Sequence, residues 1–308
     1  MQKHARVIYN PTSGREIIKK NLADVLSILE QAGYVTSAHA TTAEPDDAKH
    51  AAEEAVRDRF DLVVAAGGDG TINEVINGIA EKEYRPKVGI IPTGTTNDFA
   101  RALHVPRDVI KATKIIAAGQ SVAMDIGKAN ETYFINIGGG GRLTELTYDV
   151  PSRLKTMLGQ LAYYLKGIEM LPSLKATKVE YDQGVFEGEV MFFLLGLTNS
   201  IGGFEKIAPD AKLDDGKFSL IIVKKVNLAE FIRLVTLALR GDHIKEPNVI
   251  YVKSEKVIVN SEDKMLINLD GELGGETPME FRNLRQHIEF FASVDDIPAI
   301  DLFIKENS

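Results

Sequence analysis

A chain of 308 residues with 44% hydrophobic and 26% charged side chains has an ordinary globular composition, which excludes a disordered or fibrous chain. Its 36 basic against 44 acidic residues leave a net charge of −8, so nucleic acid is an unsuitable partner and any anionic ligand must meet a local basic patch. The absence of cysteine excludes a disulfide scaffold, a thiolate metal site and a cysteine nucleophile, and suits the cytosol.

The amino terminus, Met1 to Arg6, runs into a strand-like segment with no apolar leader. The longest uncharged stretch, Val190–Phe204, is shorter than the ~18 apolar residues of a membrane span, so a soluble protein is expected. A prior of ~150 residues per domain suggests two domains.

In chain order, Val7–Tyr9 reads as a short strand ending at Asn10-Pro11-Thr12-Ser13-Gly14, a turn composition. Glu16–Ala32 spaces Ile17, Ile18, Leu22, Val25, Leu26 and Leu29 as a helix that Gly33 stops. A strand near Thr36–Ala40 and an alanine-striped helix over Asp46–Asp58 follow. Leu62–Ala66 is continuously apolar, as expected of a strand buried on both faces. It feeds Gly67-Gly68-Asp69-Gly70, after which Thr71–Ala80 is helical. Val88–Ile91 is another strand, and Asp98–Leu103 and Val109–Ala118 read as helices. Strand and helix alternating in this way imply parallel βαβ units.

The pattern changes near Ser121. Short β-branched runs then dominate: Tyr133–Ile137, Lys178–Tyr181, Glu189–Leu197, Phe218–Lys224, Lys256–Val259, Met265–Leu269 and His287–Phe291. Turn signals such as Asp182-Gln183-Gly184 and Asp214-Asp215-Gly216 separate them, and Leu154–Leu171 and Leu228–Leu239 interrupt as helices. The expected architecture is α/β: a parallel-sheet domain over residues 1–122, with the tail 292–308 as a possible return, and an antiparallel β-sandwich over 123–291.

Ligands of parallel α/β sheets bind at the carboxyl ends of the strands. Three loops at such ends share small, hydroxylated residues: Asn10–Gly14, Gly67–Glu74 and Pro92–Phe99. Their backbone N–H groups, the hydroxyls of Thr12, Ser13, Thr71 and Thr95, and the helix start near Thr71 suit a nucleotide polyphosphate. Asp69 and Asp98 would repel phosphate unless magnesium bridged carboxylate and phosphate oxygens. Each loop taken singly also fits a tight turn with a helix cap. No P-loop string occurs, Asn73 replaces the last glycine of a dinucleotide fingerprint, and the protein-kinase motifs are missing. The six histidines show no metal-ligand spacing.

In the second half, Asn268-Leu269-Asp270-Gly271-Glu272 carries two carboxylates two residues apart. Either could accept the proton of an alcohol during phosphoryl transfer, although a solvated β-turn would look the same. Asp210–Lys217 offers Asp215 and backbone carbonyls to a hard cation, or is a plain hairpin. Between Pro151 and Lys178 five basic residues face the single acid Glu169, a local excess of four positive charges on a helix with an apolar stripe. That helix would lie in an anionic membrane interface or pack into the core.

These motifs resemble the catalytic domain shared by diacylglycerol, sphingosine and ceramide kinases. Gly94–Phe99, Gly196–Ser200, Phe204-Glu205-Lys206, Pro209–Lys217 and Asp270–Gly275 carry the same likeness through nearly the whole chain. The resemblance implies a nucleotide domain, a sandwich domain, a cleft between them, and a homodimer. It implies transfer of phosphate from ATP to membrane diacylglycerol, giving phosphatidic acid for phospholipid synthesis, by a cytoplasmic protein that visits the inner membrane face.

On this likeness ATP would lie on Asn10, Pro11, Thr12, Ser13, Gly14, Thr41, Gly68, Asp69, Gly70, Thr71, Ile72, Asn73, Glu74 and Thr95. Asp69 and Asp98, with Asp125 as a candidate, would organise catalytic magnesium, partly through water. Glu272 would stand at the proton-acceptor position with Asp270 beside it. A structural magnesium would take the Lys212 carbonyl, the Asp215 side chain and the Lys217 carbonyl. The glycine run Gly138–Gly141 fits a place where lipid or nucleotide approaches the backbone. The alternatives are an NAD kinase, which shares the Gly-Gly-Asp-Gly-Thr loop, and a non-catalytic nucleotide-binding lipid sensor.

Overall fold

The computed structural model describes residues 2–95, 97–141, 177–199, 207–293, 295–298 and 301–302. The expected basic helix Leu154–Leu171, and the motif residues Thr96, Ser200 and Phe204-Glu205-Lys206, lie outside them. The chain divides into two compact units, one of residues 1–125 and 286–299, the other of 126–285 and 300–308.

The first unit is a parallel α/β sheet. In chain order it holds β1 (Lys3–Tyr9), a 3-10 turn (Ser13–Glu16), α1 (Ile17–Gln31), β2 (Tyr34–Ala40), α2 (Asp47–Arg57) and β3 (Leu62–Gly67). Then come α3 (Asp69–Ile79), β4 (Lys87–Pro92), α4 (Asp98–Ala102), α5 (Val109–Ala118) and the start of β5 (Ser121–Ala129). The strand order is β2-β1-β3-β4, and β4 pairs with the carboxyl end of β16 (Met279–Phe291) through Val88 and Phe290. Every residue of β3 is buried, as a strand with both faces covered requires. The apolar stripes of α1 and α3 bury Ile18, Val25 and Leu29, and Ile72, Val75, Ile76 and Ile79. Asp108 caps α5, accepting the Lys111 N–H, and Gly119 ends it in a left-handed conformation.

The second unit is antiparallel. Its first sheet has the order β12-β11-β10-β7-β14-β15. These strands are β7 (Ile137–Gly141), β10 (Val190–Gly196), β11 (Phe218–Lys224), β12 (Val249–Ser254), β14 (Leu266–Leu269) and β15 (Glu272–Glu276). The amino half of β16, β13 (Lys256–Ser261), β8 (Thr177–Tyr181) and β9 (Gly184–Gly188) pair in that order, and β6 (Thr132–Phe134) pairs with the end of β5.

Alternation explains the apolar runs. Phe193, Leu195, Leu220 and Ile222 face Val179, Val257, Val259 and Phe281 in one core. Phe192, Leu194, Ile221 and Val223 face Phe231, Leu234, Val235 and Ala238 of α6 (Leu228–Ala238) in another. The expected β-sandwich is present, and β10 and the Leu220–Val223 run of β11 read as hydrophobic strings because both of their faces are covered.

One expectation is corrected. Gly138–Gly141 is not a ligand loop but most of β7, between β10 and β14. A Cβ at Gly139 would stand 2.6 Å from the Phe193 carbonyl, and one at Gly141 would stand 2.2 Å from the Phe192 Cα. The glycines let β7 lie flush against its neighbours in the sheet.

Candidate active site

The three small-residue loops of the first unit meet at the carboxyl ends of β1, β3 and β4. Each is built from its own sequence outward. Asn10 folds its loop as an Asx turn, its side-chain oxygen accepting the Thr12 N–H at 3.0 Å and the Thr12 hydroxyl at 2.9 Å. The Asn10 N–H donates to the Ala66 carbonyl of β3, so this loop is fixed to the next. Gly14, Arg15 and Glu16 all have φ near +60°, a strained run for the two non-glycines that follow the loop directly. A Cβ on Gly14 would stand 2.5 Å from the Thr93 carbonyl, and the Thr93 hydroxyl donates to Ser13 Oγ at 3.0 Å.

Gly68 and Gly94 bring the second and third loops together. A Cβ on Gly94 would lie 2.6 Å from the Gly68 Cα, so only glycine permits this approach. Asn97 ties both loops: its side chain accepts the Gly94 N–H at 2.9 Å and donates to the Gly94 carbonyl at 2.7 Å. Its own N–H donates to Asp69 Oδ2 at 2.9 Å. Sequence reasoning included Asn97 in a loop without a role; the clamp shows only when Gly68 and Gly94 are adjacent.

The acids carry distinct loads. Burial pushes the Asp69 carboxyl above its ordinary range, while the backbone N–H groups of Asn97, Asp98 and Phe99 pull it back. Asp69 therefore caps the start of α4, where Asp98 is 2% exposed and accepts from Arg101 Nη1 at 2.8 Å. Asp125, 1% exposed, accepts the Gln286 N–H at 2.8 Å. Among the described residues no three His, Asp or Glu side chains form a metal cluster, so Asp69, Asp98 and Asp125 are not gathered into one.

Other expected nucleotide residues fall into two kinds. Pro11, Thr12 and Thr95 lie on the loops, Gly70 opens α3 just after Asp69, and Arg107 holds the Thr95 carbonyl at 2.8 Å. The Thr41 N–H donates to the Tyr9 carbonyl, placing it beside the end of β1. Thr71, Ile72, Asn73 and Glu74 stand in the first turns of α3, and three of them are engaged with protein. Ile72 is wholly buried, and its N–H donates to the Gly68 carbonyl at 3.2 Å. Asn73 accepts from the Asn77 side-chain amide. Glu74 Oε2 accepts the Ala48 N–H at 3.1 Å, capping α2, and burial raises its pKa.

In the second unit Asp270 and Gly271 form the two-residue turn between β14 and β15, with φ of 52° and 98°. An Asp-Gly pair is the sequence such a turn demands. Asp270 accepts three backbone N–H groups, from Ile135 at 2.7 Å and from Asn136 and Ile137 at 2.9 Å. Its own N–H donates to the Ile137 carbonyl. Asn268 accepts the Gly271 N–H at 2.9 Å and fixes the turn from within. Glu272 begins β15 and is exposed. The two carboxylates thus differ: one is consumed by backbone and the other is open.

Asp215 accepts the Lys217 N–H at 2.9 Å through Oδ1, and its Oδ2 lies 3.5 Å from Lys253 Nζ. The chain passes through Lys212 and Gly216 around it, with Gly216 at φ 79°.

Residues 4–129 match the diacylglycerol kinase catalytic domain, and residues 145–292 match the YegS C-terminal NAD kinase beta sandwich-like domain. Over 289 residues the chain is 64% identical to the diacylglycerol kinase of Bacillus subtilis (strain 168), covering 93% of this chain and 95% of that one. The chain belongs to the diacylglycerol kinase family. It is also 55% identical over 297 residues to the diacylglycerol kinase of Staphylococcus epidermidis, covering 96% and 94% of the two chains. Among solved structures it is similar to a diacylglycerol kinase from Bacillus anthracis, with TM-score 0.78 and 30% identity over 94% of this chain and 97% of that one. Among the described residues no helix is long and apolar enough to cross a membrane.

Proposed function

We propose that this member of the family transfers the terminal phosphoryl group of ATP to the free hydroxyl of diacylglycerol, giving phosphatidic acid. The observation that carries the reading is the closure of Gly68 on Gly94, which turns two glycine loops into one small-residue surface beside Asn10–Gly14. Backbone N–H groups on such a surface, with the start of α3 behind them, suit a triphosphate.

Asp69, which begins α3, and Asp98, which begins α4, fit a magnesium ion by donor chemistry: both offer hard carboxylate oxygens in a region where a phosphate would need its charge offset. Asp125, which is not gathered with them, would take part only through bridging water. The ion, when bound, neutralises charge on the transferring phosphoryl group. Asp215, with the Lys212 and Lys217 carbonyls, offers an all-oxygen set for a second, structural ion, and the ammonium facing it marks a place where a cation is favoured.

Glu272 takes the proton of the lipid hydroxyl. Its exposure supports this role, because a base must reach its substrate. Asp270 holds the turn: three backbone donors converge on it, and without it the Ile135–Ile137 N–H groups would lose their partner. The basic segment 151–178 is the candidate contact with an anionic inner membrane surface, and a homodimer is the assembly the family likeness suggests.

Glu272→Gln should lower turnover about 10²–10⁴-fold, the span of a lost general base, with melting temperature and ATP affinity near wild type. Asp270→Asn should lower melting temperature as well, since its amide would turn a donor toward backbone N–H groups. Lipid phosphorylation, thermal melts and ATP titration of both variants check this; full turnover by Glu272→Gln would refute the assignment.

A further inference from the structure

The turn 210–217 carries Asp210, Asp214 and Asp215 against Lys212 and Lys217, one carboxylate in excess. The strand β12 brings a further cation to it. Tyr251 and Lys253 stand two residues apart on it and so share a face. The Tyr251 hydroxyl donates to Asp210 Oδ1 and also meets Ser219 Oγ. Lys253 Nζ lies 3.5 Å from Asp215 Oδ2 and 3.9 Å from Asp210 Oδ1, so it stands within reach of both acids. The pair is shielded: the Lys253 side chain is 21% exposed and that of Asp215 is 11% exposed. Asp214 is buried, and the Arg285 side chain packs beside Gly216, where a Cβ would come within 3.0 Å of it.

Two cations cannot hold the same carboxylate oxygen at no cost. Magnesium binds oxygen at ~2.0–2.1 Å, which would bring it close to an ammonium 3.5 Å from that oxygen. Like charges so near, with water partly excluded, repel strongly. An isolated Asp215 without either cation would be a poorly solvated charge.

We infer that Lys253 is the built-in cation of this turn: it holds Asp215 in the metal-free protein and yields it to a divalent ion, shifting its own charge to Asp210. The inference rests on the reading of Asp215 as a metal ligand. Ion binding at this turn is then an exchange of partners, which weakens affinity and leaves the turn folded without metal.

The test melts the full chain, Lys253→Met, Lys253→Gln, Lys253→Arg and Asp215→Asn in EDTA and across a titration of magnesium chloride. The two neutral variants should melt below wild type in EDTA and recover with magnesium. Their half-effect should fall at about tenfold lower concentration than in wild type, within the usual range of coupling between two sites. Lys253→Arg should follow wild type, and Asp215→Asn should lose this response. If a neutral variant does not fold in EDTA, folding on magnesium addition supports the exchange and failure to fold with magnesium overturns it. Identical magnesium responses in wild type and both neutral variants, or none in any, also overturn it. Lipid phosphorylation is read separately: turnover retained without a magnesium effect on melting removes the role of Lys253 and leaves the kinase reading in place.

Discussion

Asp69 shows how one side chain serves structure and chemistry together. Its carboxylate receives the N–H groups that open α4, and burial disfavours its charge. The small-residue loops around it were legible in the sequence, because strand–glycine–helix junctions have few structural uses. The clamp made by Asn97 was not, since it depends on two glycines far apart in the chain touching. That contact gives a sharp prediction. Gly94→Ala places a methyl group 2.6 Å from the Gly68 Cα and 2.9 Å from Asn97 Oδ1, so the loops must part. Overpacking of this kind costs about 1–3 kcal/mol, and ATP affinity should fall tenfold or more. Calorimetric titration with ATP checks this; unchanged affinity would mean that the loops need not touch to bind nucleotide.

Among elements, the helices of the first unit were legible from their apolar spacing, and β3 from its unbroken apolar run. The misreading fell on β7, because four glycines carry no strand signal and only the neighbours Phe192 and Phe193 explain them. β9, β12 and β15 were passed over for a similar reason: they are short, half exposed and mixed in character.

The α6 side of the sandwich holds a buried His243, 5% exposed, whose Nε2–H donates to the Ile207 carbonyl at 3.0 Å while Nδ1 has no partner. It lines a small apolar cavity of about 40 Å³ with Phe231, Leu234 and Val249. Burial holds its pKa below the ordinary 6.5. The folded state therefore resists protonation. Above about pH 6.5 the ring is neutral in both states and costs nothing. Below it the unfolded chain binds the proton first, and stability falls with pH until the folded ring also protonates. His243→Gln should flatten this acid limb. Denaturant melts of both proteins from pH 7.5 to 5 check it, and parallel curves would place the acid sensitivity elsewhere.

For the molecule as a whole, the α/β and antiparallel halves were readable from the change of hydrophobic period near Ser121. Composition could not supply the substrate. In a chain of net charge −8, the proposed contact with an anionic surface would need local basic charge, and the sequence concentrates it at residues 151–178. The two carboxylates near β15 looked equivalent as sequence and are not so in the fold, since only the fold brings the Ile135–Ile137 backbone onto Asp270. That one chain carries both a polyphosphate cradle and an open carboxylate is the claim on which the functional reading stands. Incubation of the full chain with radiolabelled ATP, magnesium and a panel of diacylglycerol, ceramide, undecaprenol and NAD measures it most directly. Label should appear in the diacylglycerol product and not in NAD; label in NAD, or in none of the acceptors, would contradict the account.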